Sequence, residues 1–195
     1  MKEKIEILKT EILSDNWYTL NKVTYSKTLE DGTSKIQSRE VYDRGNGATV
    51  ILYNKLKNTV ILVKQFRLPS YVNGNIDGML IEACAGLLEL DSPETCIKRE
   101  TQEETGYQIE NVEKIFEAYM SPGSVTEILY FFIASYSNEM KKHKGGGLQE
   151  EHEEIEIIEL PFRQAVEMVK SGEIKDAKTI ILIQYILINR ILSVD

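Results

Sequence analysis

Three glutamates of this chain fall within one turn of a helix. In Arg99-Glu100-Thr101-Gln102-Glu103-Glu104-Thr105-Gly106, Glu100 and Glu104 stand four apart and Glu103 lies three from Glu100. On a helix their carboxylates leave the same face, within reach of one another. Folding alone gives no reason for this, since like charges at that spacing repel by about 0.2–0.5 kcal/mol per pair. A hard divalent cation takes carboxylate oxygens as ligands and turns the repulsion into attraction. The turn is therefore a prospective metal site.

The neighbouring residues limit the helix. Ser92 can cap its free N–H groups, Pro93 suits the first helical position, and Glu94 sits near the positive end of the dipole. Gly106 can take the left-handed conformation that closes it. Between these limits only Cys96 and Ile97 are clearly apolar, too few for a stripe that docks a helix by burial alone. A solvated acidic helix is the other meaning of such a charge run, but it leaves the glycine-bounded pattern unexplained.

Gly86, Arg99-Glu100, Glu103-Glu104 and Gly106-Tyr107 together resemble the Nudix box, G-x5-E-x7-R-E-U-x-E-E-x-G-U with U apolar. Gly86 and Arg99 are one residue closer than that signature requires. Asp91 or Ser92 occupies the place of its first glutamate, and Thr101 that of an apolar residue. The shortening lies upstream of Glu100 and Glu104, whose relative positions the helix sets.

A chain of 195 residues, 42% of them hydrophobic, suits one good core or a core plus a small accessory unit. The formal net charge of −8 argues against nonspecific nucleic-acid binding, which relies on a basic surface. It is compatible with a phosphate substrate if divalent cations sit between the two sets of negative charge. Cys84 and Cys96 have neither metal-ligand spacing nor the count of a disulfide framework, and read as buried free thiols. The first residues, MKEKIEILKTEILSDNW, lack a secretory apolar stretch, so cytoplasmic residence is expected. Thr179 to Leu192 is the segment nearest to a membrane span, but it is short and interrupted by Gln184, Asn189 and Arg190; it reads as a helix buried against the sheet or a partner subunit.

Along the chain, residues 1–45 alternate apolar and polar types in short runs with an Asp31-Gly32 turn, which predicts a β-rich N-terminal unit, and the resemblance to the Nudix box implies a hydrolase domain over residues 46–195. Ala48–Tyr53 and Thr59–Phe66 read as a hairpin, Tyr71–Gly78 as a loop, and Met79–Cys84 as a strand or short turn. Strands follow at Lys114–Tyr119, Glu127–Tyr136 and Ile155–Leu160, then helices at Phe162–Lys170 and Ala177–Leu192. That order supports a mixed sheet flanked by helices, α/β or α+β in class.

Beyond the box, the whole chain resembles the sugar-nucleotide and ADP-ribose pyrophosphatase branch of the Nudix superfamily, and within it the members that act on GDP-mannose. The resemblance is carried by SDNW at Ser14–Trp17, REVYDRGNGATVILYN at Arg39–Asn54, QFR at Gln65–Arg67, VNGN at Val72–Asn75, YMSPGSVTE at Tyr119–Glu127 and GGG at Gly145–Gly147. It implies a Nudix α/β/α sandwich with an N-terminal β-rich dimerisation unit, and a homodimer in which that unit reaches the partner's site. It also implies Mg²⁺-dependent hydrolysis of a nucleoside diphosphate sugar, GDP-mannose to GMP and mannose 1-phosphate, with Mn²⁺ as another usable metal. ADP-ribose, giving AMP and ribose 5-phosphate, is the alternative substrate; a nucleotide sensor that has lost catalysis is the alternative class.

Residue by residue, the resemblance makes Glu100, Glu104, Glu153 and the carbonyl of Ala85 the metal ligands, with Glu103 in support and Glu151 as base. Glu151 and Glu153 belong to the acidic run Glu150-Glu151-His152-Glu153-Glu154, whose other reading is a solvated loop. Arg99 either orients the glutamates or forms a surface ion pair of little worth. Arg67 either pairs with a diphosphate oxygen or makes an ordinary ion pair. Trp17 stacks on the base, with Ser38, Arg39 and Glu40 nearby, or is buried in the dimer interface. Ala85, Gly86 and Leu87 line the substrate, Glu127 meets the sugar and Lys178 the phosphates. Trp17 stands where GDP-mannose-hydrolysing members have tyrosine, and Ser38 where they have lysine.

Overall fold

The computed structural model describes residues 4–148 and 154–194. It contains two compact units, Met1–Asn46 with Tyr119–Ile128, and Gly47–Ala118 with Leu129–Asp195.

The first unit is an antiparallel meander of β1 (Lys4–Asp15), β2 (Thr19–Thr28) and β3 (Ser34–Asp43) in the order β1-β2-β3. The strands are longer than the short apolar runs suggest, because the ladders continue through polar pairs such as Lys22 opposite Glu40. The Asp31-Gly32 turn forms as expected: the amide of Gly32 donates to the carbonyl of Leu29 at 3.0 Å and that of Thr33 to the Asp31 carboxylate at 2.9 Å. Ile5, Ile7, Ile12 and Ile36 remain exposed. The segment Tyr119–Ile128 is tied to the end of β3, where the amide of Tyr42 donates to Ser124 and that of Thr126 to Tyr42.

In the second unit, β4 (Gly47–Asn54) and β5 (Thr59–Phe66) form the expected hairpin, but they pair only from Leu52 opposite Ile61 to Asn54 opposite Thr59. Beyond that point they splay, and β6 (Met79–Glu82) and β7 (Cys84–Leu87) fill the gap. β6 pairs with β5 and β7 with β4, so the chain crosses from one strand to the other at Ala83. The Ala83 amide leaves the ladder there and donates instead to the Thr179 hydroxyl at 2.6 Å. On its far edge β4 runs parallel to β9 (Ile128–Ser135), which neighbours β8 (Glu113–Tyr119); β10 (Glu156–Pro161) is antiparallel to β5. The result is a mixed α+β fold around a mixed sheet.

Strand alternation divides the core between the two faces of this sheet. Ala48, Val50, Leu52, Phe132 and Ala134 pack with Cys96 and Ile97 of α2 (Pro93–Thr105). Phe131, on the opposite parity, meets Phe116, which in turn meets Tyr185 of α4 (Ala177–Ile188). The remaining α-helices are α1 (Leu68–Val72), whose last two residues overlap the expected loop at Tyr71–Gly78, and α3 (Phe162–Ser171). Helix α4 ends at Ile188, four residues earlier than the apolar periodicity predicts: Asn189 caps it and Arg190 turns into the left-handed region at φ 53°. Both cysteines are buried and free. Among the described residues, no helix is long and apolar enough to cross a membrane.

Candidate active site

The glutamate-bearing helix has the limits its sequence suggests. Ser92 is the N-cap, its side chain accepting from the amide of Thr95 at 3.2 Å, and Pro93 opens the first turn. Gly106 closes the helix at φ 78°, with its amide on the carbonyl of Gln102. A Cβ there would also strike the carbonyl of His143, so both conformation and space require glycine. The buried face of this helix is Cys96, Ile97, Thr101, Glu104 and Thr105, largely polar, as the paucity of apolar residues implies.

The shortened approach from Gly86 to Arg99 is absorbed before the helix begins. The amide of Asp91 donates to the carbonyl of Leu88 at 2.7 Å, and Glu89 adopts a left-handed φ of 47°. This tight turn lets Asp91 and Ser92 divide two tasks. Ser92 caps the helix, while the Asp91 carboxylate lies 3.4 Å from Nε of Arg99. Nη1 of the same guanidinium lies 2.9 Å from Glu100 and 3.0 Å from Glu103. Arg99 thus gathers three carboxylates, and their charge raises its pKa further even though burial works against it.

Glu100 lies directly over Gly86 of β7: a Cβ on Gly86 would clash with Cγ, Cδ and Oε1 of the glutamate. Glu104, one turn on, is 2% exposed and lies beside Cys84, whose thiol is pushed well up by burial and then by the Glu104 charge. Burial, followed by the nearby Glu100 charge, pushes the Cys96 thiol up to about 12. Both thiols are therefore protonated at neutral pH, and the hard oxygen donors are the glutamates. A cradle fitted to Glu100 and two carboxylates on one turn suit a hard divalent cation. Among the described residues, no three His, Cys, Asp or Glu side chains converge into a cation cage. Glu151 and Glu153 lie outside the described residues. The chain leading to them is anchored on this helix, since the amides of Gly146 and Gly147 donate to the carbonyls of Glu104 and Glu103.

Arg67 and Lys178 converge on a residue the sequence reading passed over. The guanidinium of Arg67 donates Nε and Nη2 to the two oxygens of Glu82 at 2.9 and 3.0 Å, and Nζ of Lys178 reaches the same carboxylate at 2.6 Å and Asp176 at 3.0 Å. Glu82 is 2% exposed. Burial alone would raise its pKa, but the hydrogen bond from Arg67 and the charge of Lys178 prevail and lower it to about 2. A sequence signal was present, because Glu82 is a lone acid within the apolar run Met79-Leu80-Ile81-Glu82-Ala83-Cys84, and a buried acid calls for a cation. Asp176 also caps α4, accepting from the amide and hydroxyl of Thr179, which orients that hydroxyl toward Ala83.

Trp17, Ser38, Arg39, Glu40 and Glu127 belong to the other unit. Trp17 is 86% exposed beside Tyr18. The Ser38 hydroxyl bonds that of Thr24 at 2.8 Å, Arg39 donates to the carbonyl of Ser38, and Glu40 is exposed on β3. Glu127 is 3.7 Å from Arg44, which also lies over the ring of Tyr18. Ala85, Gly86 and Leu87 lie in β7 opposite Thr49, Ala48 and Gly47.

The splayed sheet and the capped, glutamate-bearing helix define a NUDIX domain, and the family model of that description matches residues 43–182. The chain belongs to the Nudix hydrolases, enzymes that generally use divalent metal ions, and to their GDP-mannose pyrophosphatase branch. Residues 4–42 match the family described as the GDP-mannose pyrophosphatase NudK N-terminal domain. A protein named GDP-mannose pyrophosphatase from Yersinia pestis (strain Pestoides F) is 57% identical over 185 residues, 95% of this chain and 92% of that one. Those of the same name from Yersinia enterocolitica and Escherichia coli O9:H4 are 56% and 54% identical, over 99% and 95% of this chain and 100% and 96% of theirs. The crystal structure of an ADP compounds hydrolase has the same fold, with a TM-score of 0.69 at 15% identity over 96% of this chain and 94% of that one.

Proposed function

We propose that this enzyme hydrolyses the pyrophosphate bond of GDP-mannose to GMP and mannose 1-phosphate, with Mg²⁺ as cofactor and Mn²⁺ able to replace it. The observation that carries the chemistry is the placement of Glu100 over Gly86 with Glu104 one turn away. The close relatives named for GDP-mannose support the substrate. Glu100, Glu104, the carbonyl of Ala85 and Glu153 hold the metal, which supplies charge neutralisation and a lowered pKa for attacking water.

The chain's own residues do the rest. Glu103 and Arg99 hold the carboxylates in register, and Glu151 takes the proton of the attacking water. Arg67 and Lys178 face the diphosphate, and Gly86 and Leu87 line its path. Trp17 stacks on guanine beside Ser38, Arg39 and Glu40, while Glu127 meets the sugar. The enzyme acts in the cytoplasm as a homodimer whose N-terminal unit, residues 1–45, completes the partner's site on the catalytic domain of residues 46–195. The exposed Ile5, Ile7, Ile12 and Ile36 are the apolar surface such a dimer covers.

Chromatography of the products after incubation with Mg²⁺ and either GDP-mannose or ADP-ribose tests this reading. GMP and mannose 1-phosphate are expected from the first. Turnover of ADP-ribose alone overturns the substrate, and full turnover by folded Glu100→Gln overturns the metal assignment.

A further inference from the structure

We propose that Glu82 is a positioning residue for diphosphate recognition: its buried carboxylate holds Arg67 and Lys178 in one fixed arrangement whose remaining N–H donors grip the substrate's phosphates. This inference rests on the pyrophosphatase reading given above. Four observations carry it.

First, Glu82 ends β6 at the residue before the chain crosses from β5 to β4, so its backbone is held by its pairing with Val63 and by the Ala83 amide on Thr179. The carboxylate is therefore attached to a rigid point of the sheet. Second, it binds both cations at once, Arg67 through a two-pronged fork and Lys178 at 2.6 Å. Arg67 directly follows β5 and Lys178 lies in the first turn of α4, 111 residues apart in sequence by subtraction of their numbers. No shared element sets their separation, and Glu82 is the group that does.

Third, the cations are not exhausted by this carboxylate. Among the described residues, Arg67 commits Nε and Nη2 to Glu82 while Nη1 makes no bond, and Lys178 uses two of its three donors, on Glu82 and Asp176. The Arg67 side chain is 42% exposed, so its uncommitted edge is open to a ligand, whereas Glu82 beneath it is sealed. Fourth, the cluster adjoins the glutamate-bearing helix, because Cys84, two residues after Glu82, lies with its thiol 3.8 Å from the Thr101 hydroxyl of that helix. A fork of this kind suits phosphate oxygens, and donors fixed in advance lose less freedom on binding than free side chains do. A purely structural ion pair needs neither two cations on one carboxylate nor an open guanidinium edge beside the glutamate turn.

The test is Glu82→Gln, which keeps the shape and removes the charge. Two readouts are taken on folded protein, with folding followed by circular dichroism. The first is the KM and kcat split for GDP-mannose with Mg²⁺. The second is the dissociation constant of GDP in EDTA, where no metal contributes. Misplacement of both cations is expected to raise KM and the GDP dissociation constant by about 10–100-fold, with the smaller change in kcat. In an Arg67→Met background the same substitution is expected to add less than half that effect, because the group it positions is gone. Glu82→Asp, which keeps the charge and retracts it by one methylene, is the second variant should the first not fold, and a raised KM is expected from it too.

Unchanged KM and GDP affinity in a folded Glu82 variant overturn the inference and leave the proposed function standing. So does a loss confined to kcat in proportion to unfolded protein, or full additivity with Arg67→Met. Wild-type enzyme that hydrolyses no nucleoside diphosphate sugar overturns the proposed function, and this inference with it.

Discussion

Gly86→Ala should separate catalysis from stability. Gly86 does not have a positive φ, so an alanine there meets no backbone penalty. What it meets is the side chain of Glu100, since the new Cβ would clash with that residue's Cγ, Cδ and Oε1. Carbon atoms in contact rest about 3.5–4.0 Å apart, so the carboxyl must move by more than about 1 Å. Glu100 is partly exposed, at 17% of its side chain, and can rotate out at the cost of an unfavourable rotamer, about 0.5–1.5 kcal/mol. The loss of a glycine's freedom in the unfolded chain returns about 0.4–1 kcal/mol. The expected change in unfolding free energy is therefore at most about 1 kcal/mol. The effect on turnover should be larger, because a group misplaced by 1 Å in a catalytic constellation costs about 100-fold, equivalent to about 2.7 kcal/mol of barrier. Release of GMP measured by chromatography gives the first quantity and urea unfolding followed by circular dichroism the second. In a Glu100→Gln background Gly86→Ala should cost almost nothing more, since the residue it displaces is already disabled. Turnover within threefold of wild type would refute the reasoning, as would destabilisation beyond about 3 kcal/mol, which would place the glycine in the packing of the sheet rather than under the carboxylate.

Thr179→Val keeps the volume of a buried side chain but removes the acceptor of the Ala83 amide; unfolding in urea should show a loss of about 1–3 kcal/mol for the orphaned N–H. Acid should undo part of the fold through Glu82. Its folded pKa of about 2 lies below the ordinary 4.5, so its contribution is complete above pH 4.5 and is lost as pH falls toward 2. At about 1.36 kcal/mol per pH unit that gap amounts to roughly 3 kcal/mol. Urea midpoints measured from pH 5 to pH 2 should fall less steeply for Glu82→Gln than for wild type, and parallel curves would count against the assignment. Trp17→Ala removes a side chain that is 86% exposed, so monomer stability should change by less than about 0.5 kcal/mol. Loss of base stacking should raise KM for GDP-mannose about tenfold with sedimentation behaviour unchanged; dissociation of a dimer at unchanged KM would instead place Trp17 in an interface.

Features governed by neighbours in sequence were legible before the structure. Ser92, Pro93 and Gly106 limit α2 because caps and left-handed stops act within a turn, and the hairpin of β4 and β5 follows from two β-prone runs with a polar break. Legibility failed where one position could serve two purposes. Asp91 and Ser92 both suit the place of the missing glutamate; Ser92 reads as the cap from its neighbours, but only the left-handed Glu89 turn brings the Asp91 carboxylate to Arg99. It failed again at the end of α4, where apolar spacing continues through Leu192 but Arg190 has left the helix.

The deeper gap concerns contacts between distant segments. Nothing near Ala83 announces that its strand partner changes, and the hydroxyl that makes the change tolerable comes from Thr179, 96 residues away. The same crossing explains why an acid belongs at residue 82. Where the ladder passes from β5 to β4, α4 must approach closely enough for Thr179 to accept the stranded amide, and that approach brings Lys178, one residue earlier, onto the sheet. A lysine so placed needs a counter-charge, and Glu82 supplies it from the adjoining residue while also holding Arg67. One backbone irregularity thus sets the separation of two cations that lie outside the box from Gly86 to Tyr107 and that only the fold brings onto one carboxylate.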